Sequence, residues 1–283
     1  MPLLPPRRGF FPMRKILHYP IVLPLLALYL YLAGSAPYLG QWDSFDYLKQ
    51  IVTHHLSPLG IGRPVFVGYN ILLWESARAA LHLDRLRVEI VAMAGTVLLG
   101  VLGVFLFQRL AGRLLFSPAG QMAAVALVLS PVYAIYSGLI MTEVPMLVVL
   151  MASALILWNP SSRHPVLNDL IGGALFGLAV GIREQALTLG AAFLWILCSR
   201  RQAGASRRRS TLLFGLAAAT AALAPALVFY LHDPGGFLQR VGTWLRAIPA
   251  GPKTRCFLGY LDRTGPQQRN NSWLFAGRTG CSV

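Results

Sequence analysis

The sequence predicts an all-α protein that crosses a membrane about seven times, with one further amphipathic helix lying at the interface in its first outer loop. Three observations predict it: more apolar side chain than a soluble globule can hide, apolar runs of membrane-spanning length, and loop charges that alternate between two sides. Of the 283 residues, 55% are hydrophobic and 12% charged, about half the ~25% charged share of soluble chains. A globule of this size has too little interior for so much apolar surface.

The elements follow in chain order. Ile16 to Ala36 carries no Asp, Glu, Lys or Arg and follows Arg7, Arg8, Arg14 and Lys15. A signal peptide has the same basic start, but this run is long enough to span and another apolar region follows. It reads as an uncleaved first helix with its N-terminus in the cytoplasm. Arg63 to Leu83 sets Val65, Phe66, Tyr69, Leu72, Leu73 and Ala80 at helical spacing, with Glu75, Arg78 and other polar groups on the opposite face. That pattern suits an interfacial helix better than a span. The uncharged runs Ile90–Phe107, Leu114–Thr142, Val144–Ser162 and Ser210–Leu231 each reach the roughly 18–20 residues a bilayer requires. The second narrows to Pro118–Ser137. Leu170–Ile182 and Gln185–Ser199 are shorter, are divided by Arg183-Glu184, and read as one long span or as a hairpin of two.

Loop charge decides between these. With Arg63–Leu83 interfacial and 170–199 a hairpin, the loops 108–117, 159–168 and 200–209 all share the side of the N-terminus. That side then holds twelve basic residues: the four N-terminal ones, Arg109, Arg113, Arg163, Arg200, Arg201, Arg207, Arg208 and Arg209. Changing either assignment alone would expel the five-arginine cluster, against the positive-inside bias. The spans are therefore 16–36, 88–107, 118–137, 143–158, 166–182, 184–199 and 210–231. A transmembrane domain occupies 1–231, with an outer loop at 37–87, and an outer tail occupies 232–283. From Gly251 the tail is polar, basic and without an apolar period, so it is expected to be poorly ordered.

The net charge of +15 would suggest nucleic acid in a soluble protein. Here the basic residues lie between apolar runs, so nucleic-acid binding is excluded. Cys198, Cys256 and Cys281 have no metal-ligand spacing and read as inert thiols. No P-loop or dinucleotide fingerprint is present.

The acidic residues gather on the predicted outer side: Asp43, Asp46, Glu75, Asp84 and Glu89 in the first loop, Glu143 at the start of the fourth span, Glu184 beside Arg183 at the hairpin tip, Asp233 and Asp262 in the tail. Only Asp169 falls near an inner helix end. Ionisable groups at membrane depth are costly and tend to be functional, although short loops also end in polar caps. In Trp42-Asp43-Ser44-Phe45-Asp46-Tyr47 two carboxylates stand three apart, on one face of a helical turn. Such a pair suits a general base or two ligands for a divalent cation. No cofactor is fixed by the residues, and a divalent cation stays open.

At these motifs the chain resembles the GT-C superfamily of membrane glycosyltransferases, of the protein O-mannosyltransferase and aminoarabinose transferase type. "WDSFDYLKQI" resembles the acidic motif after the first helix, and "GRPVFVGYNILLW" the proline-bearing helix that follows it. "SGLIMTEVPMLVVLMASALIL" resembles the stretch where Thr-Asp or Thr-Glu opens an outer-to-inner helix. "LIGGALFGLAVGIREQALTLGAAFLWIL" resembles a hairpin with a basic tip.

The resemblance covers about 16–231 and implies a bacterial inner (plasma) membrane. It implies a polyprenyl-phosphate-linked sugar as donor, a protein or lipid acceptor on the outer side, and an inverting transfer. It gives Asp43 the part of general base and Glu143 that of orienting the acceptor or sharing a metal. Arg183 would neutralise the departing phosphate. Asp46, grouped with the catalytic residues, would be a second ligand or a solvated loop residue. Members of the superfamily generally have more helices, so this chain reads as truncated at its C-terminus.

Two other classes stay open on the residues alone: a transporter or lipid flippase, and a non-catalytic membrane subunit. The positions of Asp43, Glu143 and Arg183 discriminate. One outer-facing site favours the transferase, a mid-membrane cavity between similar halves favours transport, and scattered positions favour the subunit.

Overall fold

The computed structural model describes residues 21–35, 42–58, 60–84, 87–115, 117–158, 164–199 and 204–247. Among them there is helix and no strand. In order they form α1 (Val22–Gly34), α2 (Trp42–Thr53), a 3-10 turn (Gly60–Gly62), α3 (Pro64–Leu81), α4 (Val88–Leu114), α5 (Ser117–Leu129) and α6 (Pro131–Ser137). Then come α7 (Glu143–Leu157), α8 (Pro165–Ile182), a 3-10 segment (Glu184–Leu189), α9 (Gly190–Ser199), α10 (Gly204–His232) and α11 (Pro234–Ala247). Residues to Val241 make one compact unit. Of a second unit, Gly242–Val283, the end of α11 is described. Arg7, Arg8, Arg14, Lys15, Arg163, Arg200, Arg201, Cys256, Asp262, Cys281 and the tail beyond Ala247 lie outside the described residues.

A helix lies on each of the seven predicted spans, but not all have spanning length. Val88–Leu114, Pro165–Ile182 and Arg208–His232 are long and apolar enough to cross, and the bent pair Ala119–Leu129 with Pro131–Ser137 makes a fourth if it counts as one span. Val22–Gly34, Glu143–Leu157 and Glu184–Ser199 are shorter apolar helices, so among the described residues three or four helices have spanning length and the count of seven is not confirmed. The reasons are local. Pro131 has no N–H to donate and breaks the helix. Ser130 caps the new start, its hydroxyl accepting from the Tyr133 N–H at 3.4 Å, and the axis turns by 58°. At Glu184 the chain enters a 3-10 turn before the regular helix at Gly190.

Three apolar cores hold the unit together. Leu23, Ala27 and Tyr31 of α1 pack with Val97 and Val104 of α4, Ala124 and Val128 of α5 and Val148 of α7. Phe176, Phe193 and Phe214 stack from α8, α9 and α10, with ring centroids 4.8–6.3 Å apart. The remaining core gathers Tyr47, Ile51, Phe66, Val67 and Trp74 of α2 and α3 against Ala92, Ile140 and Ile182.

Helix α8 approaches α10 backbone to backbone. A Cβ at Gly173 would collide with the Phe214 main chain, and one at Gly177 with the Ala218 carbonyl. Small residues at four-residue spacing permit such contact.

The loop helix differs in register from the sequence reading. Its buried side chains are Pro64, Phe66, Val67, Asn70 and Trp74, whereas Leu72, assigned to the apolar face, is exposed. The N-terminal part of α3 packs among α2, α4, α8 and α10, and that packing overrides the apolar stripe.

Candidate active site

Asp43 enters on the first turn of α2. A Ser44 hydroxyl that donates to the Ile140 carbonyl at 3.2 Å ties this helix to the break between α6 and α7. Arg63 enters at the start of α3. Pro64 occupies the first helical position, where its missing N–H is no loss, so Arg63 stands at the N-cap. Its backbone N–H donates to the Gly60 carbonyl at 2.8 Å. The Arg63 side chain is buried, at 8% exposure for the residue. Its Nη1 donates to the Tyr47 hydroxyl and lies 3.6 Å from Asp43 Oδ2, and its Nε lies 3.9 Å from Glu184 Oε2. The guanidinium carbon lies 5.7 Å from the Tyr47 ring centroid. Phe66 meets that ring edge-on at 4.8 Å.

The second half of the site comes from two helix ends. Ser153 on α7 donates to the Gly172 carbonyl of α8 at 2.7 Å and Asn168 donates to the Ile156 carbonyl at 3.2 Å, so α7 and α8 run antiparallel. The N-terminus of α7 therefore meets the C-terminus of α8. Glu143 is in the first turn of α7 and Arg183 caps α8, each charge opposing the local helix dipole. Arg183 Nη1 donates to Glu143 Oε1 and, at 3.2 Å, to Thr142 Oγ1, while Nε donates to Gln185 Oε1 at 2.8 Å. Glu143 Oε2 is buried and accepts no hydrogen bond from the described residues. Both Asp43 and Glu143 are close enough to bias the Tyr47 hydroxyl, whose pKa burial pushes up to about 12. Burial disfavours the Arg63 charge, but Tyr47, Glu184 and Asp43 outweigh it and raise its pKa.

Asp43 and Glu184 thus meet at Arg63, and the Glu143–Arg183 pair stands beside them across Tyr47, all from widely separated parts of the chain. Asp46 is turned to different partners: it accepts from Gln50 Nε2 at 2.8 Å and from the Ser57 hydroxyl at 2.5 Å. Burial raises its pKa, with Ser57, Lys49 and Gln50 opposing that rise. The described residues contain no grouping of three His, Cys, Asp or Glu suited to a metal ion. Away from the cluster, the end of α2 and the middle of α3 form a cleft of about 300 Å³ lined by His54, Trp74, Glu75 and Arg78.

Sequence reasoning missed Arg63 and Glu184 as site residues. Arg63 had a signal, a lone arginine before a helix-opening proline, but nothing in the sequence said which carboxylates it would meet. Against this geometry, a family model for dolichyl-phosphate-mannose-protein mannosyltransferases matches residues 85–229, just over half of the chain. The chain belongs to that family. It is accordingly a membrane glycosyltransferase of GT-C type. The match includes Glu143, Arg183 and Glu184 and stops short of Asp43, Asp46 and Arg63. Comparison with curated proteins and with solved structures found no match.

Proposed function

We propose that this glycosyltransferase moves a sugar, mannose in the first instance, from a polyprenyl-phosphate donor to a protein or lipid acceptor at the outer face of the membrane. The observation that carries the reading is that Asp43 and Glu184 flank the buried Arg63, while the Glu143–Arg183 pair lies beside them, within electrostatic reach of Tyr47, in a chain of this family. Asp43 takes the proton of the acceptor hydroxyl as its oxygen attacks the anomeric carbon. The bond from that carbon to the phosphate oxygen breaks, the configuration inverts, and the polyprenyl phosphate leaves with the electron pair. Glu143 presents its second oxygen to orient the acceptor, and Arg183 supplies charge-assisted donors to the phosphate. Asp46 holds the turn after α2 through Gln50 and Ser57 and has no part in the chemistry.

The topology belongs to the same proposal: the arginine-bearing ends of α4 and α10 in the cytoplasm, and α2 and α3 outside, with α3 along the membrane plane. Reporter fusions at residue 205 should read as cytoplasmic and at residue 60 as outer; an outer signal at 205 overturns the hairpin and the shared site with it. The chemical test is purified protein incubated with radiolabelled polyprenyl-phosphate mannose and peptide or lipid acceptors. Label should move to acceptor with the parent protein and not with Asp43→Asn. Equal transfer by both removes Asp43 as the base.

A further inference from the structure

We infer that α11 is an interfacial membrane helix: where the span α10 ends, the chain turns onto the bilayer surface and lays the apolar stripe of α11 into the boundary between phospholipid headgroups and acyl chains. This requires α10 to lie in the bilayer and nothing of the chemistry proposed for Asp43.

The stretch of α10 from Arg208 to His232 has 25 residues. At ~1.5 Å per residue, a helix of that length outreaches a hydrocarbon core of about 30 Å. By Asp233 the chain has therefore reached the membrane surface. Polar groups gather at that point. The His232 ring lies 5.9 Å from that of His55, and Asp233 accepts from the Gly236 N–H at 3.0 Å and from Arg240 Nη2 at 3.1 Å. Pro234 has no N–H to continue the ladder of α10. It opens α11 instead, with Asp233 as the cap.

α11 is not a further span. It has 14 residues, too few to cross a bilayer, and its apolar residues keep to one side. At about 100° per residue, Phe237, Leu238, Val241, Trp244 and Leu245 fall on one stripe, and Gln239, Arg240, Thr243 and Arg246 fall opposite. An apolar stripe with aromatic residues, low net hydrophobicity and arginine on the polar face is the pattern of a helix that lies in the interface. Between Pro234 and Ala247 there are two arginines and no carboxylate, which complements lipid phosphates.

The surroundings of α11 point to lipid as the cover of this stripe. Phe237 packs against the core of α2 and α3 and meets the Tyr230 ring edge-on at 5.9 Å, which pins the start of the helix to the body of the protein. Leu238 is 59% exposed, and on α10 Leu223, Leu227, Val228 and Leu231 are exposed as well. The apolar surface that a bilayer must cover on α10 thus resumes at Leu238.

The test uses the full chain with Cys198, Cys256 and Cys281 replaced by serine. A nitroxide label is placed in turn by Leu238→Cys, Gln239→Cys, Val241→Cys and Thr243→Cys, with Leu227→Cys as the reference within α10. Each protein is reconstituted in vesicles of phosphatidylcholine and phosphatidylglycerol. Collisions of the label with oxygen, which partitions into lipid, and with a water-soluble nickel chelate report its depth. The labels at positions 238 and 241 should lie roughly 5–10 Å into the interface, shallower than the label at position 227. Those at positions 239 and 243 should meet nickel freely.

Equal nickel access at all four positions places α11 in water and overturns the inference. Labels at positions 238 and 241 that neither oxygen nor nickel reaches also overturn it, since protein would then cover the stripe, either a second copy or the segment beyond Ala247. A depth that changes steadily from 238 to 243, with no alternation between faces, is a third refutation. Each face is read at two positions, so one variant that fails to fold by circular dichroism leaves the comparison intact. The transferase reading fails separately, through sugar transfer by Asp43→Asn at the parent rate.

Discussion

At the hairpin, Arg183 and Glu143 stand on the ends of two antiparallel helices and make direct hydrogen bonds. In the first loop, Arg63 sits beneath Asp43 and Glu184 at ion-pair distances too long for such bonds. The hairpin half falls within the residues matched by the family, and the loop half before them. The two halves thus hold charge by different means. At the hairpin, Glu143 at a helix N-terminus and Arg183 at a helix C-terminus each complement the local dipole and pair with each other. The loop half depends on a buried guanidinium packed on an aromatic ring, which leaves its carboxylate open at the surface. The proposed function puts the proton acceptor in the open half and the phosphate contact in the other.

The sharpest way to break this comparison is to remove the chemistry from each half in turn. Asp43→Asn keeps size and hydrogen bonding but loses the basic carboxylate. Transfer should fall by roughly 10²–10⁴-fold, with binding of polyprenyl-phosphate mannose nearly unchanged. Arg183→Ala should act on the other quantity: donor affinity should fall by about tenfold or more, because a charged hydrogen bond contributes about 1.5–3 kcal/mol, while turnover at saturation changes less. Arg183→Lys should recover part of that affinity, since a point charge cannot form the same fork. Binding titrations alongside single-turnover rates separate the two; if both substitutions lower the same parameter equally, the halves do not divide the work.

A smaller effect should come from packing beneath the hairpin. Gly177→Leu forces side-chain atoms into the Ala218 carbonyl and should destabilise the protein by about 1–3 kcal/mol, read as a lower thermal midpoint. Gly215→Ala is its control, because no atom lies within 4 Å of that position; inside a helix, its midpoint should rise slightly, since Ala favours helix over Gly by about 1 kcal/mol.

The smallest effect belongs to Asp46. Its folded-state pKa is raised by burial. The charged form therefore disfavours folding above that pKa, and the penalty disappears as pH falls and the carboxyl protonates. Asp46→Asn should match the parent in turnover. Its stability relative to the parent should be higher at neutral pH than at acid pH, measured by denaturation across pH. A relative stability that instead rises on acidification reverses the sign and the assignment of cause.

Much of this was legible in the chain itself. Apolar run length and charge spacing placed a helix on every predicted span, because burial of a helix's backbone groups and exposure of its side chains to lipid are local demands that composition records. Asp43, Glu143 and Arg183 were legible as charges at run boundaries. What the sequence left out was set by contact. Asp43 and Asp46 look equivalent at three-residue spacing, yet one faces Arg63 while the other is held by Gln50 and Ser57. The register of α3 was misjudged because Asn70 and Trp74 are buried by neighbouring helices that its own periodicity does not describe. Arg63 reads as one more loop arginine, and Glu184 as a polar cap at a hairpin tip. The sequence by itself determined the helices and where their charges lie, since both follow from side-chain hydrophobicity along one segment. Only the tertiary structure decided which charges meet, because a pairing between residues 43, 63 and 184 depends on how three separate segments pack.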